Sequence, residues 1–325
     1  MGMGKFIVKR LGQTAVTLYI IMTLLFVLFR IAPGDPAAMI LDPTATPEVQ
    51  ALIRGQFGLN DSIWVQYWKY LWNLLQGKFG NSFYYGTPVF QIIWDRLPNT
   101  VLLFTSATIL SAIAGIAWGK VIAWRRGSTL ESFATFIGLA FYTVFLPWFA
   151  IIMIWIFGYR FGWFPLNGML TPELWLDPRA TFLAKALDVL HHLMLPLLVL
   201  FIHSFAGSML LMRSSMLDTL REDYIMTARA KGLADKVIRN RHAARNAMLP
   251  VVTSVALGLA FSINGGALTE TVFSWPGLGQ ELVSSVSNYD YPLAQAAFLF
   301  IATFVLLANL IADVLYAYLD PRIKY

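Results

Sequence analysis

The sequence predicts an all-α, polytopic membrane protein of six transmembrane helices with both termini in the cytosol. Three observations carry this. First, only 13% of the 325 residues are charged and 58% are apolar. Soluble domains carry about 25% charged residues, so this chain lacks the charge to solvate a globular surface. Second, the apolar residues fall into six blocks, each close to the roughly 20 residues a helix needs to cross the hydrocarbon core. Third, Lys and Arg are shared unequally between the segments joining those blocks, which sets orientation.

The blocks cover 6–31, 98–124, 131–157, 191–212, 249–268 and 292–319. Each reads as a helix because only helices and closed barrels satisfy every backbone group in lipid. Barrel strands are about 10 residues long and alternate in polarity; these blocks are longer and apolar all round. With the N-terminus inside, the cytosolic segments hold 16 of the 24 Lys and Arg, although the external segments are longer. The first block reads as a retained span, because its apolar core from Leu11 to Ile31 exceeds the 7–15 residues, approximately, of a signal-peptide h-region. A pI near 9.5 follows from the basic cytosolic segments and needs no nucleic acid to explain it. The absence of cysteine excludes a thiolate metal site.

Ala32-Pro33-Gly34-Asp35-Pro36 stops the first helix with turn residues. Residues 47–54 read as a short helix, and 61–76 as a second. The second carries Trp64, Tyr67, Trp68, Tyr70 and Trp72, which suit either the headgroup level or packing on the bundle. The next external loop, 159–190, holds Pro165, Gly168, Pro172 and Pro178 and reads as mostly irregular. The last, 269–291, contains Ser274-Trp275-Pro276-Gly277-Leu278-Gly279, a tightly specified turn.

The cytosolic segment 213–248 is the most informative. Asp218 or Thr219 is placed to cap a helix, and Glu222 stands at capping-box distance from Thr219. Leu217, Leu220, Tyr224, Ala228 and Lys231 share one face at three- and four-residue spacing, and Gly232 stands where a left-handed cap is wanted. A second, basic helix over about 235–247 leads into Leu249-Pro250 at the next membrane helix. A short polar helix with small residues at Thr227, Ala228 and Ala230 suits close docking of a soluble protein; lipid binding is the competing reading.

Thr227-Ala228-Arg229-Ala230-Lys231-Gly232 followed by His242-Ala243-Ala244-Arg245-Asn246-Ala247-Met248-Leu249-Pro250 resembles the coupling loop of ABC importer permeases of the dipeptide/oligopeptide class. Ala32-Pro33-Gly34-Asp35-Pro36, Phe57-Gly58-Leu59-Asn60, Arg96-Leu97-Pro98-Asn99-Thr100, the run Glu270 to Gly279 and the terminal Asp320-Pro321-Arg322-Ile323-Lys324-Tyr325 extend the resemblance over nearly the whole chain. Met226 stands where the general motif has Glu, so the family's ion pair to the ATPase passes to Glu222 or Asp223 as candidates. The resemblance implies a type I ABC importer permease fold, divided as 1–31 (first span), 32–96 (external segment), 97–319 (five-helix core with the coupling loop at about 214–248) and 320–325 (tail). It implies residence in a bacterial or archaeal cytoplasmic membrane, in contact with lipid. It also implies a homologous second permease, two ABC ATPases carrying ATP and Mg, and an extracytoplasmic solute-binding protein.

The expected ATPase-coupling residues are Glu222, Asp223, Tyr224, Thr227, Ala228, Arg229, Ala230, Lys231 and Gly232. Ser262, Asn264, Gly265 and Gly266 are expected to line or gate the pathway, since glycines permit close helix contact and bending. Glu270, Trp275, Pro276 and Gly277 are expected in an external gate or docking loop. No catalytic residue, cofactor or metal ligand is expected on this chain. Gly115 to Val121 falls short of a phosphate loop, and the adjacent His191 and His192 point about 100° apart on a helix. Asp313 is expected to pair with a loop arginine, and Pro147 to kink the third helix. Peptides are the expected solute, with oligosaccharides or metal chelates as alternatives. A self-powered secondary transporter would need ionisable residues inside the helices, and these are scarce.

Overall fold

The computed structural model describes residues 3–31, 61–262 and 266–319. The expectations for 32–60, for Asn264 and Gly265, and for 320–325 lie outside them. Among the described residues every regular element is helical, apart from one isolated bridge between Asn81 and Pro88. Two compact units divide the chain, 1–100 with 276–325, and 101–275.

The first unit is built on α1 (Met3–Ile31) and α12 (Tyr291–Leu319), each of 29 residues. At 1.5 Å per residue each is about 43 Å long, enough to span a bilayer. They pack antiparallel through Leu25, Phe29, Tyr291, Ala294 and Leu299. Asp313 pairs with Arg10 of α1 (3.2 Å to Nε) rather than with a loop arginine, because the antiparallel packing brings the start of α1 beside the end of α12. α2 (Ile63–Leu75) lies on α1. Its tyrosine face turns inward: the Tyr67 hydroxyl is 2.8 Å from the Thr23 hydroxyl, and the Tyr67 ring meets Phe26 edge-on. Trp64, Trp68 and Trp72 occupy the opposite, exposed face. The packing reading of this helix thus describes its tyrosine face.

The second unit contains most of α3 (Val89–Trp124), with α4 (Thr129–Thr143), α5 (Leu146–Met153, continued by the π turn Ile154–Arg160), α6 (Pro172–Leu176), α7 (Phe182–Thr219), α8 (Asp223–Ala230), α9 (Asp235–Phe261) and α10 (Ala267–Val272). α7 is its central post, with α4, α5 and α9 packed against it. Gly115 and Gly119 bring α3 against α7 as well. A β-carbon on Gly115 would sit 2.5 Å from Ser208 Cβ, and one on Gly119 2.6 Å from Met212 Cβ. Only glycine permits that approach.

Among the described residues five helices are long and apolar enough to cross a membrane, and six if the α4–α5 pair is one span. That pair corrects the third expected block. Its two arms meet at 102°, which is a break and not a kink. Pro147 lies in the first turn of α5. In a continuous helix its ring would strike the Thr143 carbonyl and its nitrogen could donate no hydrogen bond. Val144 and Phe145 are extended instead. The fourth helix also starts earlier than expected, at Phe182, where the Thr181 hydroxyl accepts from the Ala184 N–H (3.2 Å). The 159–190 loop is correspondingly shorter and contains α6. Asp188 organises it, accepting from the Thr171 N–H (2.8 Å), the Thr171 hydroxyl (2.7 Å) and the Trp175 indole (3.0 Å). His191 meets the Trp163 carbonyl and His192 the Asp188 carbonyl, so the adjacent histidines have separate partners. The fifth block ends at Phe261, short of the expected 268, and Pro250 lies inside α9 because the helix already runs from Asp235, through a π segment at Ile238–Ala243.

Candidate functional site

The 213–248 segment folds as a helical hairpin around α8. α7 runs through Thr219, whose hydroxyl donates back to the Ser215 carbonyl (2.8 Å). The expected Thr219–Glu222 capping box is therefore not formed. The chain turns at 220–222, and Glu222 becomes the N-cap residue of α8 without a side-chain cap bond. The other end matches expectation. Gly232 has φ +71°, the left-handed region that costs other residues roughly 1–2 kcal/mol. The Leu233 N–H reaches the Ala228 carbonyl (3.3 Å), and the Gly232 N–H reaches the Arg229 carbonyl (2.9 Å). This pair of bonds is a Schellman motif, which satisfies carbonyls a helix end would otherwise leave open.

Ile225 and Ala228 form the buried face of α8, not Tyr224 and Lys231 as the spacing suggested. The turn at 220–222 resets the helical phase, so a stripe counted through from Leu217 does not continue. The bed beneath is Met212 and Met216 from α7 with Ile238, Ala243, Ala244 and Ala247 from α9. Three alanines let the α8 backbone sit low on α9. Full burial of Ile225 stabilises this seat by about 1.5–3 kcal/mol. Two polar contacts fix its rotation: the Asn246 amide donates to the Tyr224 hydroxyl (2.7 Å), and the Arg229 guanidinium lies 5.9 Å from the Trp124 ring centre.

The outer face of α8 is open. Glu222, Asp223, Thr227, Ala230, Lys231 and Gly232 are all exposed, and Met226 is 64% exposed. An exposed, apolar, flexible Met surrounded by acids, small residues and basic groups suits contact with another protein surface. The root of the hairpin carries an ion pair absent from the sequence reading. Arg213 donates to Glu131 Oε1 from Nε (2.9 Å) and Nη2 (2.5 Å), while Oε2 accepts from the Gly127 N–H (2.6 Å). The i to i+3 spacing of Ser128 and Glu131 was its one local signal.

The remaining expected residues are largely held in packing. The Ser262 hydroxyl, on a buried residue, is 2.8 Å from that of Thr105 and donates to the Leu259 carbonyl, so it joins two helices. A β-carbon on Gly266 would meet the Phe104 ring at 2.9 Å. Glu270 and Trp275 are fully buried. The Trp275 N–H donates to the Glu270 carbonyl (2.8 Å) across a turn with Ser274 at φ +49°. In the first unit, Pro276 and Gly277 are clamped by the start of α3. Asn99 donates to the Pro276 carbonyl (2.8 Å), and Thr100 accepts from the Leu278 N–H (2.8 Å) in the first turn of α11 (Leu278–Ser287). Arg96 pairs with Glu281 of α11 (3.0 Å). The Arg96-Leu97-Pro98-Asn99-Thr100 run thus fixes the turn that follows Trp275. Among the described residues no group of three or more His, Asp or Glu is placed to hold a metal ion.

The class these features define is an all-α polytopic permease. Residues 113–325 match the family described as binding-protein-dependent transport system inner membrane component, and residues 3–104 match its N-terminal counterpart. The chain belongs to this family and is a multi-pass inner-membrane protein. It is 40% identical to the oligopeptide transport system permease protein AppB of Bacillus subtilis (strain 168), over 99% of this chain and all of that protein. It is 35% identical to the dipeptide transport system permease protein DppB of Escherichia coli (strain K12), over 99% of each chain. The di/tripeptide transport system permease protein DppB of Pseudomonas aeruginosa (strain UCBPP-PA14) is also 35% identical over the same shares.

Proposed function

We propose that this chain forms half of the translocation pathway of an ATP-driven importer of di- and oligopeptides. In this reading both termini and the 213–248 hairpin face the cytosol, where most of the Lys and Arg lie. The observation that carries it is α8: a capped helix seated on an alanine bed, with a free outer face. Such a helix transmits a push without deforming. Two ABC ATPases, holding ATP and Mg, close on nucleotide and carry α8 with them. The bundle then passes from inward- to outward-facing by rigid-body rotation. A homologous permease completes the pathway, and an extracytoplasmic binding protein delivers the solute. The chain itself makes and breaks no covalent bonds.

Supporting peptides as solute are the substrates named for the relatives above. Oligosaccharides and metal chelates are the alternatives within the same machinery. Glu222 and Asp223 stand in for the acid missing at Met226, since both are exposed at the open end of α8. The buried Glu270–Trp275 turn and the clamped Pro276-Gly277 act as the external gate. Ser262, Asn264, Gly265 and Gly266 line or gate the pathway, and 1–31, 32–96, 97–319 and 320–325 are the functional divisions.

Purification of the tagged chain from its own cells tests the reading. Two ATPase subunits per permease pair are expected to accompany it, with hydrolysis stimulated by a peptide-loaded binding protein. Recovery of a transport-competent chain without any ATPase contradicts it. Asn264→Leu is expected to stop uptake while leaving assembly and basal hydrolysis intact; unchanged uptake removes Asn264 from the pathway.

A further inference from the structure

We infer that a cavity within the 101–275 unit receives the main-chain amides of the transported peptide through uncharged hydrogen-bonding groups. This rests on the peptide reading above and adds where and how the peptide is held. The cavity is a cleft of about 620 Å³, open to the surface beside the exposed Tyr142, Ser214 and Ser254, and its size is within the roughly 300–1,000 Å³ of small-ligand sites. Side chains of α3, α4, α7 and α9 wall it, and none of them is Asp, Glu, Lys or Arg.

Its chemistry is dominated by hydroxyls. Those of Ser204, Ser208 and Ser254 have no partner among the described residues, so each is open to donate and to accept. Thr108 and Ser214 donate to helix carbonyls (2.8 Å to Phe104, 3.0 Å to Leu211), which leaves their oxygens as acceptors. His203 Nδ1 lies 3.2 Å from the Phe141 carbonyl. A carbonyl only accepts, so Nδ1 carries the hydrogen, and whenever the ring is uncharged Nε2 is left as an acceptor. The His203 ring is stacked near-parallel to Tyr142, which orients it.

A peptide backbone offers one N–H donor and one carbonyl acceptor per residue, whatever its side chains. Rotatable hydroxyls answer both, and the imidazole answers the N–H. A fixed charge in the wall would hold solutes of opposite charge and repel those of like charge; this wall discriminates by neither. Passage also needs contacts weak enough to release, which neutral hydroxyls provide. Ser204, Ser208, Leu211 and Ser214 recur at helical spacing on α7 and open on the same space as Ser254 of α9.

The chain has no native cysteine, so Ser204→Cys and Ser254→Cys each introduce a single thiol into it. The full importer containing either variant is reconstituted in vesicles and exposed to a charged, membrane-impermeant thiosulfonate. Both thiols are expected to label from the aqueous phase, and saturating trialanine is expected to slow labelling severalfold. Ser204→Asp is expected to shift uptake severalfold toward a lysine-containing tripeptide over its glutamate counterpart, where the unaltered importer takes both alike. Thiols that stay unlabelled while peptide is imported overturn the inference and leave the peptide reading standing. Labelling that trialanine does not slow but an oligosaccharide does overturns the ligand assignment. If the unaltered importer takes up no peptide, the peptide reading fails and the ligand assignment falls with it.

Discussion

Gly232 is the residue on which the seat of α8 most depends. Nothing lies within 4 Å of a β-carbon built there, so a substitution is opposed by backbone conformation and not by crowding. Gly232→Val puts a β-branched residue at φ +71°, where it is a steric outlier. Gly232→Asn is better tolerated in that region. The valine variant is expected to insert normally yet to lose solute-stimulated hydrolysis, and the asparagine variant to retain most of it; equal activity in the two removes Gly232 from coupling. Glu131 and Arg213 offer a second test. The Glu131 side chain is 8% exposed and that of Arg213 26%. Removing one partner strands a charge, at about 3–5 kcal/mol for a fully buried pair. The exposure of Arg213 reduces this to roughly 1–3 kcal/mol. Glu131→Gln is expected to lower thermal stability in detergent more than Glu131→Gln with Arg213→Gln; additive losses contradict a paired role.

The α3–α7 crossing is the contact between elements most sensitive to volume. A β-carbon at Gly119 would also lie 2.8 Å from the Met209 carbonyl, a backbone atom that cannot swing aside. Gly119→Leu is therefore expected to separate the helices and cost at least the 1–3 kcal/mol, approximately, of ordinary overpacking, read as a drop in melting temperature and in yield of assembled complex. An unchanged melting temperature contradicts the close packing. The Gly115-x3-Gly119 spacing was legible in the sequence, where it registered only as a failed phosphate loop. Other misreadings also have physical causes. Residues 131–157 form one apolar block, and hydropathy does not register a 102° bend between two apolar arms. Pro147 alone marked it. Lys185 and Asp188 hid the first two turns of α7, because charged residues there interrupt the apolar pattern although the backbone is already helical. Gly232 was readable because only glycine meets that conformation at no cost. The buried face of α8 was not, because a three-residue turn shifted its phase.

For the molecule as a whole, composition and block length were sufficient to predict a helical membrane bundle, since lipid leaves the backbone few ways to satisfy its polar groups. They could not reveal how α3, α4, α7 and α9 line a polar cleft, because serine, histidine and glycine scattered among apolar residues barely alter hydropathy. Nor could they show that the 267–275 segment turns Glu270 and Trp275 inward. On the proposed function the permease stores no energy of its own and moves when α8 is moved. The most direct test compares trialanine accumulation in vesicles containing this chain alone with accumulation in vesicles containing the full complex. Uphill accumulation is expected only with the full complex and ATP. Accumulation against a gradient by the chain alone would contradict the account.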